Sequence, residues 1–527
     1  MSIEKFGNHV VLRPLPYIEK KVRVEIENYL FQNYKPGVYN NYEEINNIIK
    51  FLMEFYFKKL DENLNKIASV ELLEIILDQY DITCKIDKLK KDLQLDNFEL
   101  KKWNDFGATF RRALKYISEK IVMINPSIKS IEKNSTLYYE MLSELLISAE
   151  ELVSLYLQSD STFKIFPHET ELILQKNEPL YWELKVNHWY NQNELNKLQN
   201  NWNKLNTDVK IDLDTNLISS NLQKGFEEKF GISFHNVIEI FTNLIHHNDN
   251  DGDVTFVEKD IVIQYIENTY DVTKNIAKNI LSGFTITSND LNVETRKVYL
   301  PKQEYRLLYR GFLEVTCNQK KYLLWSKNMA TESLILLIRG IYYKKFPKEW
   351  RSTLINKSIN NLSSKLGARF EKLVKDKITN LNIQGDINFK KIIGTKNEHI
   401  AIPKDVGELD FLGLNLNTKE LIFIECKILS FASEPRLFYD DKTKFNDPKK
   451  GYLLKFRKKV DFIATNRKEV LKCLAKQLNV NIDEKILYEF KQRNIILTYY
   501  PCIMKAFIKD FELFDLYEFI AKYNVKN

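Results

Sequence analysis

Two short apolar segments in the C-terminal part of the chain constrain its fold more than any other feature. They read GELDFLGL at 407–414 and LIFIECKI at 421–428, and the turn-forming residues at 415–419 separate them. Apolar runs joined by such a turn predict an antiparallel β-hairpin. If the turn centres between Asn417 and Thr418, directly opposed residues have numbers that sum to 835.

This register brings charged side chains together on one face of the hairpin. It places Asp410 across from Glu425 and Glu408 across from Lys427. Opposed side chains in a hairpin lie about 4.5–5.5 Å apart, so like charges there destabilise it. The two carboxylates must therefore share a proton, be compensated by the lysine, or bind a divalent cation. For Glu408, an orienting salt bridge to Lys427 is favoured over metal ligation.

A helix is predicted immediately upstream, at 363–381, with its apolar residues at three- and four-residue spacing. Glu371 lies at the border of the apolar face, where a carboxylate points toward whatever the helix packs against. On the helix pattern alone, an ordinary i,i+4 salt bridge to Lys375 is favoured over a catalytic role.

Further elements are expected around the hairpin. The sequence predicts a strand at 386–393, a basic helix from about Gly451 to Leu478 and a strand at 494–500. The resulting order is helix, three strands, helix, strand.

In this order, the segments resemble the PD-(D/E)XK nuclease superfamily, which has the restriction-endonuclease-like fold. The resemblance covers about 160 of the 527 residues and is closest to the archaeal Holliday-junction resolvases and type IV restriction enzymes. It rests on GARFE at 367–371, GELD at 407–410 and IECK at 424–427. Leu409 stands where the superfamily pattern has proline.

The resemblance implies a role for each matched residue. Asp410 and Glu425 would bind Mg²⁺ or Mn²⁺, with the backbone carbonyl of Cys426 as a further ligand. Glu371 would join the metal shell or position water, and Lys427 would orient or activate the attacking water. These expectations agree with the preference of hard divalent cations for carboxylate and carbonyl oxygens.

The distribution of charge favours a polyanionic partner for the C-terminal part. Residues 1–300 contain 35 Lys+Arg and 45 Asp+Glu, whereas residues 301–527 contain 43 and 26. Basic residues follow the hairpin, and we expect DNA-backbone contacts from Lys444, Lys450, Lys455 and Lys458 in particular; RNA is not excluded. The neighbouring basic residues are Lys442, Lys449, Arg457 and Lys459.

The fold class expected from these patterns is multidomain α+β. We expect a mostly helical domain at 1–158, a mixed α/β segment at 159–350 and a restriction-endonuclease-like αβββαβ domain at 351–527. The N-terminal region is a candidate for homo-oligomerisation or for binding a defence-system partner protein.

Part of the middle segment, 221–327, resembles a winged helix, since two short helices precede a β-ribbon. That resemblance would make Lys274 and Lys278 DNA-reading residues, but a scaffold or linker role is the favoured alternative. A second motif, at 247–258, has the spacing of a calcium-binding loop that ends at Glu258. Because His247 occupies its first position, an acidic turn is the favoured interpretation.

Two absences suggest a soluble cytoplasmic protein. The five cysteines have no C-x-x-C spacing, and neither a signal peptide nor an apolar run of membrane-spanning length is found.

Together the patterns predict a Mg²⁺-dependent deoxyribonuclease, an endonuclease effector of a restriction or anti-phage defence system. The alternatives are a repair or recombination nuclease, a nucleic-acid-binding module that does not cut, and a calcium-responsive interaction protein.

Overall fold

The computed structural model is a mixed α+β protein. It describes residues 1–124, 135–160, 165–166, 170–178, 180–186, 214–247, 253–292, 306–394, 398–430, 435–481 and 483–524. The chain divides into two compact units. The first comprises Met1–Asn187 and Thr215–Ile359, and the second comprises His188–Asp214 and Asn360–Asn527.

The first unit begins with a β-hairpin and a group of long amphipathic helices. The elements are β1 (Ser2–Phe6), β2 (His9–Arg13), α1 (Pro16–Phe31), β3 (Gly37–Tyr39), α2 (Tyr42–Ile67), α3 (Val70–Lys91), α4 (Asn97–Ile124), α5 (Thr136–Asp160), β4 (Thr170–Leu174) and β5 (Trp182–Val186). The helices bury apolar residues at three- and four-residue spacing, as their sequence pattern predicted. β3, β4 and β5 form a small sheet in that order.

The same unit continues with shorter helices and a second sheet. The elements are α6 (Thr215–Phe230), α7 (Phe234–His246), β6 (Val254–Glu258), α8 (Lys259–Tyr270), α9 (Lys274–Ser282), β7 (Thr285–Ile286), α10 (Ser288–Asn292), β8 (Phe312–Cys317), β9 (Lys320–Ser326), α11 (Lys327–Tyr342) and a 3₁₀ turn at Lys348–Trp350. The sheet order is β6-β9-β8-β7. Strands β8 and β9 form an antiparallel ribbon that follows the two short helices α8 and α9.

The long helices and the second sheet share one apolar core, which runs from Phe6 to Met329 in sequence. A buried polar contact also connects them. The carboxylate of Asp81, on α3, accepts hydrogen bonds from the Ser326 hydroxyl and from the backbone N–H of Asn328. Because Asp81 is fully buried, these donors compensate for its loss of hydration.

The second unit is built on a five-stranded mixed sheet. Its order is β10 (Ile383–Phe389), β13 (Leu409–Asn415), β14 (Glu420–Lys427), β15 (Lys491–Thr498) and β16 (Glu512–Asp515). The first three strands are antiparallel neighbours, and the last two add in parallel. The parallel addition of β15 requires a crossover connection, which the intervening helices provide.

Helices and a small hairpin complete this unit. They are α12 (Thr353–Thr379), β11 (Lys391–Ile393), β12 (His399–Ala401), α13 (Pro435–Asn446), α14 (Tyr452–Thr465), α15 (Arg467–Gln477), α16 (Glu484–Leu487), a 3₁₀ turn at Ile503–Ala506 and α17 (Leu516–Asn524). The boundary between the two units falls within α12. No helix among the described residues is both long and apolar enough to span a membrane.

Two predicted elements differ from the structure in their bounds. The strand expected at 386–393 is instead Ile383–Phe389, and 391–393 pairs with β12. The single helix expected from Gly451 to Leu478 is two helices, α14 and α15, that meet at Asn466. An amphipathic pattern does not reveal such breaks, because apolar residues continue on both sides of them.

Candidate functional site

The candidate site begins where the β13–β14 hairpin stops pairing. The paired residues run from Asn415–Glu420 to Phe411–Ile424, and each pair sums to 835, as the sequence predicted. One position further on, the Asp410 carboxylate accepts the backbone N–H of Cys426 through Oδ2, at 2.8 Å. At the end of the hairpin, the Asp410 side chain thus takes the place of a backbone carbonyl as hydrogen-bond acceptor. This bond orients the Asp410 carboxylate.

Two lysine ammonium groups lie among the carboxylates of this site. Lys427 Nζ is 2.6 Å from Glu425 Oε1 and 3.8 Å from Asp410 Oδ2. Lys459 Nζ, from helix α14, is 2.5 Å from Glu425 Oε2 and 3.5 Å from Asp410 Oδ1. Both carboxylates therefore face both ammonium groups. The Tyr452 ring, at the start of α14, lies 5.4 Å from Lys427 Nζ and adds a cation–π contact.

Burial makes these charges interact strongly. Glu425 is only 2% exposed. Burial raises the pKa of Asp410, the charge of Glu425 raises it further, and the two lysines and the Cys426 N–H oppose the rise. Burial acts to lower the pKa of Lys427, but the charges of Glu425 and Asp410 outweigh burial and raise it well above its ordinary value. Lys427 is therefore a fixed cation near neutral pH, which suits charge stabilisation better than proton abstraction.

Glu371, on α12, lies at the edge of this cluster. Burial, followed by the charges of Asp410 and Glu408, raises the pKa of Glu371 to about 7. The alternative salt bridge to Lys375 is wrong, because Lys375 Nζ instead donates to Asp386 Oδ1 at 2.6 Å. With Glu371 included, the carboxylates of the site carry more formal negative charge than the two lysines neutralise.

Lys459 was misplaced by sequence reasoning, which grouped it with the exposed basic residues of its helix. It is 7% exposed and occupies the same buried face of α14 as Phe456 and Ile463. Phe456 stacks on Phe423 of β14, at 5.3 Å between ring centroids, and so holds this face against the sheet. The sequence signal was available, since a lysine at the apolar spacing of a helix points inward.

The salt bridge expected between Glu408 and Lys427 is not formed, because Lys427 turns to Glu425 and Asp410 instead. Glu408 acts on the cluster through its charge, which helps to raise the pKa of Glu371. At Cys426, the backbone N–H donates a hydrogen bond to the Asp410 carboxylate. Ligation of a metal by the Cys426 carbonyl stays a prediction.

The four lysines expected to grip DNA lie on α13, on α14 or just before α14. Lys444 Nζ is paired with the buried Asp441 at 3.1 Å. Lys450, Lys455 and Lys458 are exposed. Lys455 and Lys458 occur on the same helix as Lys459, within one turn of it, so they carry positive charge toward solvent beside the carboxylate cluster.

Two other predicted sites lie in the first unit. Lys274 and Lys278 are both exposed on α9. The candidate calcium loop at 247–258 lies partly outside the described residues, since 248–252 are not described. Glu258, its expected last ligand, is paired with Lys320 Nζ at 2.9 Å.

The oxygens of the site match some of the needs of a divalent cation. Carboxylate oxygens are the ligands that Mg²⁺ and Mn²⁺ prefer, and Asp410 and Glu425 both reach the position of Lys459 Nζ. In the described part of the chain, no three His, Cys, Asp or Glu side chains are grouped closely enough to hold a metal. Asp410 and Glu425 therefore fit a hard cation in the chemistry and charge of their oxygens, as a pair of carboxylates and not as a cluster of three ligands.

Comparisons with protein-family models, with curated proteins and with solved structures gave no match to this chain.

Proposed function

We propose that this protein is a metal-dependent nuclease that hydrolyses DNA phosphodiester bonds. The observation that carries the proposal is the meeting of a buried Glu425 and a half-buried Asp410 with a half-buried Lys427 at the open end of a hairpin. Grouping charged side chains away from water costs stability, and a function that apolar residues cannot serve accounts for their presence here. The restriction-endonuclease-like interpretation of the second unit belongs to the same proposal, supported by the order α12, β10, β13, β14, α14, β15.

Each side chain of the site can take a role in phosphodiester hydrolysis. A bound Mg²⁺ or Mn²⁺ would supply charge neutralisation and a more acidic water. Asp410 and Glu425 would hold that cation, and the Cys426 N–H would keep Asp410 in orientation. Lys427, which stays protonated, would stabilise negative charge on the phosphate, and Glu371 would accept or orient the proton of the attacking water near pH 7.

The basic composition of residues 301–527 supports a nucleic-acid substrate, with Lys450, Lys455 and Lys458 contributing exposed charge. Action as an endonuclease effector in restriction or anti-phage defence is the biological setting we propose. Repair or recombination is the alternative setting for the same chemistry.

A second candidate function is a module that binds nucleic acid without cutting it. It is favoured by two observations: Lys427 and Lys459 are already paired with the carboxylates, and the described residues contain no group of three metal-binding side chains. A nuclease would yield cleaved nucleic acid, whereas a binding module would leave the nucleic acid intact.

The test is incubation of plasmid, linear DNA and RNA with the full-length protein and Mg²⁺, Mn²⁺ or EDTA. We expect cleavage only with the metal. Asp410→Asn and Lys427→Met should each lower the cleavage rate at least about 100-fold. Asp461→Asn, an exposed carboxylate on α14, is the matched control and should cleave like the wild type. Retention of every substrate on a gel without cleavage would favour the binding module.

A further inference from the structure

We propose that Lys459 is an internal competitor for the metal: its ammonium group occupies the cation position between Asp410 and Glu425, and a divalent cation must displace it to bind. This inference rests on the proposed function, since it concerns how the same site is loaded. It makes Lys459 a positioning residue that sets the metal concentration at which the site becomes active.

The Lys459 ammonium group lies between the two carboxylates. Lys459 Nζ is 2.5 Å from Glu425 Oε2 and 3.5 Å from Asp410 Oδ1. Lys427 contacts the other oxygen of each carboxylate, Glu425 Oε1 and Asp410 Oδ2. The oxygens that face Lys459 are therefore the pair that Lys427 leaves available to a cation.

The two lysines come from different elements. Lys427 is on the same strand as Glu425, two residues away. Lys459 comes from helix α14 and reaches the carboxylates with a four-carbon side chain. Rotation about the bonds of that side chain would vacate the position without any movement of the sheet.

The charges at the site do not balance. Glu371, Glu408, Asp410 and Glu425 surround the site, and the two lysines compensate only part of their charge. A divalent cation in place of the Lys459 ammonium would neutralise the site more completely. Removing the Lys459 charge should therefore strengthen divalent-cation binding, because the competitor is lost and the carboxylates are left undercompensated.

The direct experiment measures Mn²⁺ binding to the full-length protein by calorimetry. Lys459→Met keeps most of the apolar stem and removes the charge, and we expect it to bind Mn²⁺ at least tenfold more tightly than the wild type. Lys458→Met, its exposed neighbour on the same helix, is the control and should bind as the wild type does. Equal Mn²⁺ affinity for Lys459→Met and wild type would overturn the inference.

Thermal unfolding gives a second readout if the variant is too unstable for calorimetry. Without metal, Lys459→Met should melt below the wild type, because the buried Glu425 and the half-buried Asp410 lose an ion-pair partner. Saturating Mn²⁺ should raise its melting temperature by more than it raises that of the wild type. An equal or smaller increase would contradict the proposal.

The wild-type protein provides a test without substitution. Lys459 is buried in the metal-free site, so an amine-acetylating reagent should modify it slowly. Saturating Ca²⁺ or Mn²⁺ should accelerate acetylation of Lys459 several-fold, as measured by mass spectrometry, and leave that of Lys458 unchanged. Unchanged or stronger protection of Lys459 would overturn the inference.

The outcomes separate the inference from the proposed function. If the wild type binds Mn²⁺ and cleaves DNA but Lys459→Met gains no affinity, Lys459 is only a structural partner and the nuclease proposal stands. If neither protein binds Mn²⁺, both proposals fail.

Discussion

The side chains of the site interact mainly through their charges, and burial strengthens these interactions. Glu371 shows this most directly, because partial burial and then the charges of Asp410 and Glu408 raise its pKa from 4.5 to about 7. Its position on α12 was inferred from helical periodicity alone. Periodicity along one helix cannot predict the packing that buries Glu371 or the approach of carboxylates from outside that helix.

The raised pKa predicts a pH-dependent effect of Glu371→Gln. The folded state holds this proton more tightly than the unfolded state, so the group's stabilising contribution is full below pH 4.5 and is lost as the pH rises through 7. In EDTA, Glu371→Gln should therefore be more stable than wild type at pH 8, by about 1 kcal/mol after allowance for solvent screening. The gap should close toward pH 4.5.

Thermal unfolding at pH 5 and pH 8 measures this difference. Asp376→Asn is the control, since Asp376 is exposed on the same helix. A constant difference between Glu371→Gln and wild type across the two pH values would show that Glu371 is not coupled to the cluster.

At the scale of elements, the β10–β13 pair depends on close approach of two glycines. Gly385 and Gly413 are directly opposed, and the ring of Phe411 covers the space that a side chain at Gly385 would need. Phe411 adjoins Asp410 in sequence, so packing at this pair bears on the position of the carboxylate. The sequence showed both glycines, but their opposition follows from the register between two strands that are not adjacent in sequence.

Gly385→Ala should therefore lower the free energy of unfolding by about 1–3 kcal/mol, because its Cβ would overlap Phe411 and approach the Leu412 carbonyl oxygen to 2.8 Å. Gly367→Ala is a matched control on α12, where a Cβ meets no atom within 4 Å. It should instead stabilise the helix by about 0.5–1 kcal/mol. Urea unfolding measures both changes, and equal effects would refute the packing argument.

At the scale of the whole molecule, opposite charge divides the chain. Residues 1–300 are acidic overall and residues 301–527 are basic, with 43 Lys+Arg against 26 Asp+Glu. Long-range attraction of a polyanion depends on this summed charge more than on any one contact. DNA should accordingly engage the basic part, although Lys274 and Lys278 in the acidic part are exposed as well.

The salt dependence of DNA binding distinguishes these regions. Lys455→Glu with Lys458→Glu should weaken binding at least tenfold at about 150 mM salt and reduce the slope of log affinity against log salt by about 2. Lys274→Glu with Lys278→Glu should leave both quantities within twofold of wild type. Fluorescence anisotropy measures the slopes, and the reverse ranking would assign DNA binding to the winged-helix-like region.

The sequence by itself determined the amphipathic helices, the β13–β14 hairpin and its register, because these depend on local spacing and turn chemistry. It also identified Asp410, Glu425 and Lys427 as neighbours, since strand alternation and a short turn fix their positions. Only the tertiary structure decided that Lys459 enters the site and that Lys375 binds Asp386. Those contacts join residues from separate elements, and side chains of one charge choose among several partners by distance and burial, which no local pattern records.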